Sequence, residues 1–209
     1  MDFETKWPGV FLVFEGIDGT GKSTQIKKLA SRLEGAGERV VVSREPTDGP
    51  HGRKIRESAS TGRMSPQEEL EAFIRDRTDH LRELVMPALR EGRVVILDRY
   101  YFSTIAYQGA APEVMEALFP MPDLVLVLDL EPAVALARIR ERRGESPNEF
   151  EHMEGLQKAR AIFRSMLGKR VALIDAEPGE EIVAESIWKS VVEGPIKSKR
   201  PELAARLNS

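Results

Sequence analysis

The 209-residue chain has no cysteine. That excludes disulfides and thiolate metal sites, and it fits a reducing compartment. Long apolar runs are missing too: none approaches the roughly 18 residues of a membrane-spanning helix. The N-terminal Met1-Asp2-Phe3-Glu4-Thr5-Lys6-Trp7-Pro8 lacks the apolar stretch of a signal peptide. The sequence therefore reads as cytoplasmic. Nor is there an excess of positive charge, since 31 Lys and Arg face 34 Asp and Glu for a net charge of −3. Nucleic acid and anionic membranes gain no general attraction from that balance. Repeats and low-complexity segments are absent, and only a segment near 195–209 looks like a tail. What remains is a globular composition, 41% hydrophobic and 31% charged, of a length that suits a single domain.

The most informative stretch runs from Val10 to Gln25. Val10 to Phe14 is a short apolar run of the kind that forms a buried parallel strand. Gly16-Ile17-Asp18-Gly19-Thr20-Gly21-Lys22-Ser23 then fits G-x-x-x-x-G-K-[ST]. Ile26, Leu29, Ala30 and Leu33 follow at helical spacing, so the loop joins a strand to a helix, the context that the motif requires. Glycines at 16, 19 and 21 let backbone N–H groups converge on an anion, and the helix beginning near Lys22 adds its positive end. Lys22 can reach the β- and γ-phosphates, and the Ser23 hydroxyl can sit on Mg²⁺. This is a nucleoside triphosphate site whose candidate contacts are Gly16, Gly19, Thr20, Gly21, Lys22, Ser23 and Thr24.

Strand and helix signals alternate along the rest of the chain. Apolar runs at Arg39–Ser43, Arg93–Leu97, Leu124–Leu130 and Arg170–Asp175 supply four further strands. Between them the pattern predicts a short helix over Lys54–Ser58, a long one over 66–90 opened by Ser65-Pro66, and others over 101–108, 112–119, 132–143, 150–167 and 179–192. Gly144-Glu145-Ser146-Pro147-Asn148 marks a lid segment within 141–150. The fold class is therefore α/β, a five-stranded parallel sheet with helices on both faces. Such sheets bind ligands at the carboxyl ends of their strands, which here carry Glu15, Arg44-Glu45, Asp98-Arg99 and Asp129. Asp98 could order Mg²⁺ through water beside the triphosphate loop. Its alternatives are an ion pair with Arg99 or a helix cap.

Four stretches together resemble thymidylate kinase: Phe14-Glu15-Gly16 through Gln25; Arg44-Glu45-Pro46; Phe73 with Asp76-Arg77 and His80; and Asp98-Arg99-Tyr100 through Gly109. Pro122-Asp123-Leu124 and Ile174-Asp175-Ala176 extend the match over about 10–190 in the same order. The resemblance implies the nucleoside monophosphate kinase form of the P-loop NTPase architecture. It implies transfer of the γ-phosphoryl of ATP to dTMP with Mg²⁺, by a cytoplasmic homodimer. Lys22 and Ser23 would then serve ATP. Asp18 would face the acceptor's sugar hydroxyl or a metal-bound water, and Phe73 would stack on thymine. Arg77, one turn on, would bond the base carbonyl. Arg99 and Arg44, beside Glu45, would grip the acceptor phosphate. Thr104 and Gln108, at i and i+4, would reach the base edge, and Tyr107 would pack beneath the sugar and disfavour a 2′-hydroxyl. Plain core packing is the competing role for Phe73, Tyr107 and Gln108.

Three departures mark the chain. Thr47-Asp48-Gly49-Pro50-His51-Gly52 replaces the glycines usual after Arg-Glu-Pro, Glu149 stands where the family tends to carry a lid arginine, and Ala110–Met121 is short. They leave room for another (deoxy)nucleoside monophosphate as acceptor, or for a P-loop module without transfer activity. The P-loop holds no arginine at Ile17, Asp18, Gly19 or Thr20, whereas Arg138, Arg140, Arg142 and Arg143 crowd the lid. Arg142 or Arg143 is the expected arginine finger, with a solvated basic face as the alternative.

Overall fold

The computed structural model describes residues 7–62, 64–143 and 153–207, without the side chains of 59, 60, 142 and 143. Strands β1 (Val10–Glu15), β2 (Val40–Arg44), β3 (Val94–Asp98), β4 (Leu124–Asp129) and β5 (Val171–Asp175) pair in parallel in the order β2-β3-β1-β4-β5. β1 lies at the centre, and every one of its residues is buried. Parallel strands covered on both faces read as continuous apolar runs, which is why β1, β3 and β4 carry so few polar residues. Register brings the strand ends level: Phe14 and Arg44 both lie opposite Asp98, and Asp129 lies opposite Asp175. The five-stranded α/β expectation holds, with strand limits shifted by a residue.

Helix α1 (Lys22–Gly35) follows the glycine loop and buries Ile26, Leu29, Ala30 and Leu33. α2 (Pro50–Thr61) is longer than the expected Lys54–Ser58, because Gly49 and Pro50 form an earlier start. α3 (Pro66–His80) opens on a capping box: Ser65 Oγ accepts from Glu68 N at 3.3 Å, and Ser65 N donates to Glu68 Oε2 at 2.9 Å. The helix continues through a wider turn, Leu81–Val85, into α4 (Met86–Arg90). That i to i−5 turn accommodates Pro87, which has no N–H to give to the ladder. α5 (Tyr101–Gln108), α6 (Pro112–Leu118), α7 (Pro132–Arg143), α8 (Met153–Ser165) and α9 (Glu180–Val191) fall where the periodicity places them.

The described part of the expected tail, residues 195–207, is not loose. It forms α10 (Lys197–Lys199) and α11 (Pro201–Leu207), and buries Leu203 and Ala204. Lys199 Nζ donates to Gly9 O and to Asp123 Oδ2, each at 2.7 Å, while the same Asp123 oxygen accepts from Phe11 N at 2.9 Å. Arg200 pairs with Glu38 and donates to Gly92 O at 2.5 Å. The composition of the last residues hid this, because two cations there fasten the closed end of the sheet rather than face water. Lys199→Met should therefore lower unfolding free energy by about 1–3 kcal/mol, the cost of stranding a part-buried carboxylate. A urea midpoint equal to that of the parent would show that the clamp contributes nothing.

Candidate active site

The loop from Gly16 to Gly21 turns at the carboxyl end of β1. Gly16 has φ +128°, and a Cβ there would lie 2.4 Å from Leu128 O, so only glycine lets the loop pack against β4. Lys22 is buried, and its ammonium donates to Gly16 O and Ile17 O at 2.9 Å each, with Asp18 Oδ1 4.0 Å away. Thr20 Oγ1 closes the loop onto Ile17 O at 3.0 Å. Burial, and then the nearby Arg99 charge, push Lys22 down to about 8, against the pull of Asp18, Asp98 and Glu15. Ser23 Oγ donates to Asp98 Oδ2 at 3.1 Å, so the two residues expected at a metal come together. Gly19 and Gly21 complete the loop, and Thr24 lies exposed on the first turn of α1.

Beside this loop opens a cavity of about 300 Å³. Asp18, Glu45, Phe73, Arg77, Arg99, Thr104, Tyr107 and Gln108 all line it. Arg77 is 1% exposed, with Nε donating to Glu45 Oε2 at 2.7 Å and Nη2 to Thr104 Oγ1 at 3.0 Å. Its Nη1 is buried and has no hydrogen-bond partner. Arg99 adopts φ 72°, rare for a residue with a side chain. Its Nη2 donates to Asp18 Oδ1 at 2.6 Å and its Nη1 to Ser103 Oγ at 2.9 Å, and its guanidinium sits 5.4 Å from the Tyr107 ring centre. Gln108 Nε2 donates to Glu69 Oε1 at 3.2 Å, and Tyr107 meets Phe163 edge-on at 6.1 Å.

Two expectations at β2 change. Arg44 does not line the cavity; it is largely exposed and pairs with Asp48 Oδ1 at 3.2 Å. Glu45 does line it, but its oxygens already hold Arg77 and His80, whose Nδ1 lies 3.0 Å away. The reason is pleat phase. Ser43 and Glu45 point inward, both within reach of His80, and Arg44 between them points out. Arg56 of α2, which sequence reasoning passed over, lines the cavity instead, tethered to Pro46 O at 2.9 Å and Asp48 Oδ1 at 2.8 Å. The expected helix around it was the available signal. The unusual Thr47–Gly52 loop is anchored by buried Asp76, which accepts from Thr47 N at 2.8 Å and Thr47 Oγ1 at 2.6 Å. Gly52 backs directly onto it: a Cβ there would come within 2.0 Å of Thr47 O.

At the lid, Arg138 is occupied, donating to Ala176 O at 2.8 Å and Glu177 O at 3.1 Å. Arg140 is exposed on α7. The side chains of Arg142 and Arg143, and the lid residues 144–150 with Glu149, lie outside the described residues. Asp129, expected as a strand-end candidate, is taken up by Arg160 and Arg164 of α8, at 2.7 and 2.6 Å.

A family model described as Thymidylate kinase matches residues 14–187. A thymidylate kinase of Xanthomonas euvesicatoria pv. vesicatoria (strain 85-10) is 50% identical over 200 residues, spanning 92% of this chain and 87% of its own. One of Xanthomonas campestris pv. campestris (strain B100) is 46% identical over 198 residues, with the same coverage. One of Xylella fastidiosa (strain M12) is 45% identical over 191 residues, covering 88% of each chain.

The depressed Lys22 value carries a pH prediction. Below about 8 the ammonium is charged in the free protein; above it the charge is lost, and with it attraction for a triphosphate. Triphosphate affinity measured by calorimetry should fall as pH rises through 8, and Lys22→Met should bind weakly with no such fall. A parent affinity unchanged between pH 7 and 9 would refute the assignment.

Proposed function

The chain belongs to the thymidylate kinase family, and on that premise we infer how its residues move the γ-phosphoryl group of ATP to dTMP, giving dTDP and ADP. Both reactants are anions, so the work is positioning and charge neutralisation. The P-loop amides and Lys22 take the β- and γ-phosphates. As those phosphates arrive they replace the Gly16 and Ile17 carbonyls that hold the ammonium in their absence. The Ser23 hydroxyl and Asp98 carboxylate are hard oxygen donors that suit Mg²⁺. Among the described residues no cluster of three or more metal-ligating side chains is present, which fits a cation held by one or two protein groups and the substrate phosphates. When bound, Mg²⁺ supplies charge neutralisation between donor oxygens.

The observation that carries the acceptor reading is the unpartnered Nη1 of Arg77, a residue that lines the cavity together with Phe73, Tyr107 and Gln108. A buried donor without an acceptor is costly, and a pyrimidine 4-carbonyl removes that cost. Phe73 offers its ring to the base. Arg99 and Arg56 face the 5′-phosphate, Asp18 faces the sugar, and Tyr107 crowds the 2′ position. Arg44 contributes long-range charge only. A coupled assay over a nucleotide panel tests this. dTMP should exceed dUMP modestly, by the roughly 1–3 kcal/mol of a buried methyl, and should exceed UMP and dCMP by about a hundredfold or more. dCMP presents an amino group where Arg77 needs an acceptor, so equal use of dTMP and dCMP would sink the reading.

The transferring phosphoryl still needs a cation. The P-loop has only Lys22, and Arg138 is engaged elsewhere, so Arg142 or Arg143 is assigned the finger role. Alanine variants of Arg140, Arg142 and Arg143 should separate, one losing about 10³-fold in kcat with little change in dTMP KM. Three uniformly mild variants would move the role off the lid. The family reading also carries a single kinase domain, a cytoplasmic location and a homodimer built on helix faces. Among the described residues no helix is long and apolar enough to cross a membrane.

A further inference from the structure

Beneath the acceptor cavity lies a carboxylate that the transfer above does not use. Glu15 ends β1 and is fully buried. Its Oε1 accepts from Tyr100 N at 2.8 Å and Ser103 N at 3.2 Å, the opening turn of α5, and its Oε2 accepts from the Ser103 hydroxyl at 2.6 Å. The same Ser103 oxygen accepts from Arg99 Nη1 at 2.9 Å, while Arg99 Nη2 holds Asp18 at 2.6 Å. A hydroxyl has one proton to give. Committed to Glu15, it leaves its lone pairs to Arg99, so an ionised Glu15 sets the polarity of the whole chain of contacts. A protonated Glu15 would offer its own proton to Ser103. The hydroxyl would then spend one of its two lone pairs on Glu15 and lose the carboxylate that fixes its proton, so its hold on Arg99 would weaken.

We propose that Glu15, acting through the Ser103 hydroxyl, is the positioning residue that aims the Arg99 guanidinium at the acceptor phosphate. The proposal rests on the dTMP reading given above. Arg99 sits in a strained backbone conformation on a short connection, so its side chain needs an external hold. Burial pushes Glu15 up to about 7, opposed by Arg99, by the Ser103 and Tyr100 hydrogen bonds and by Lys22. The groups facing it are therefore Lys22 from α1, and Arg99, Ser103, the Tyr100 backbone N–H and the Tyr101 and Tyr107 phenols from the β3–α5 segment. β4 contributes only the apolar Val127 opposite it in register. A carboxyl raised in this way is neutral below about 7 and ionised above it, so the hold on Arg99 weakens as pH falls through 7.

The test compares the parent with Ser103→Ala, Glu15→Gln and the double variant, following dTMP-dependent ADP formation from pH 5.5 to 8.5 at saturating ATP. Each single variant should lose about tenfold or more in kcat/KM for dTMP, with KM for ATP within twofold. The double variant should be no worse than the poorer single, because both break one relay. The parent should show an acid limb near 7 that Glu15→Gln lacks, whereas the limb from the acceptor phosphate itself, near 6, should remain in both. Variants within twofold of the parent, additive losses, an equal loss in ATP KM, or a limb near 7 that survives in Glu15→Gln would each overturn the proposal. If Glu15→Gln does not fold, judged by its thermal unfolding, Ser103→Ala carries the test alone. A parent that ignores dTMP sinks the function on which the proposal stands, and the proposal with it. A parent that uses dTMP beside an unaffected Ser103→Ala sinks the relay only.

Discussion

Two guanidiniums and an ammonium at the site are largely withdrawn from water, and such a cation survives only where something balances it. The balances are of two kinds. Arg77 is matched permanently, by a Glu45 that is itself buried and further engaged by His80. Lys22 and Arg99 are matched provisionally, by loop carbonyls and by an Asp18 whose side chain is 43% exposed. A permanent pair fixes the guanidinium in the cavity wall, with one buried donor left unpaired, whether or not a ligand is present. A provisional pair can be exchanged for phosphate oxygens at small cost, because the charge is never left bare. The division fits the roles proposed for these cations: a neutral base on one side, two moving anions on the other.

Topology decides where these charges can meet. With β1 between β3 and β4, the loop after β1 and the Asp98-Arg99 turn after β3 emerge side by side at the carboxyl edge. Right-handed crossovers leave helices on both faces, so ligands reach the sheet only at that edge. At the opposite edge the same geometry leaves β1 backbone groups needing partners. Lys199 and Asp123 supply them from the last helices and from the turn before β4. One end of the sheet is closed by its own ions while the other stays open to those of a substrate.

Much of this was legible in the chain. Apolar runs marked the buried strands, and the glycine loop lies between a strand and a helix as its motif requires. Ser23 with Asp98, and Phe73 with Arg77, fell together as spacing and resemblance required. What was not legible turned on phase and on long-range partners. Whether Arg44 or Glu45 faces inward depends on a one-residue choice of pleat that an edge strand half-exposed on both faces does not declare. Arg56 gained its place from the turn that precedes it, and that turn depends on Asp76, far along the sequence. The segment near 195–209 looked like a tail because the partners of Lys199 and Arg200, at Gly9, Asp123, Glu38 and Gly92, lie elsewhere in the sequence.

The adjacency of Asp76 and Arg77 then acquires a meaning. Successive residues on α3 serve two neighbouring structures: Asp76 anchors the Thr47 loop through two hydrogen bonds, and Arg77 reaches Glu45 and Thr104 in the cavity wall. The chain between Glu45 and Thr47 is thus gripped on both sides of Pro46 by one turn of one helix. That grip explains how a loop lacking the glycines usual after Arg-Glu-Pro still delivers Arg56 to the cavity. The Thr47 side chain supplies to Asp76, and to Gly49 N at 3.0 Å, the contacts that order the turn. Gly52 provides the close approach that lets α2 start where it does. The departure in sequence is therefore a different way of holding the same wall, with order drawn from a threonine and a buried aspartate in place of glycine's freedom.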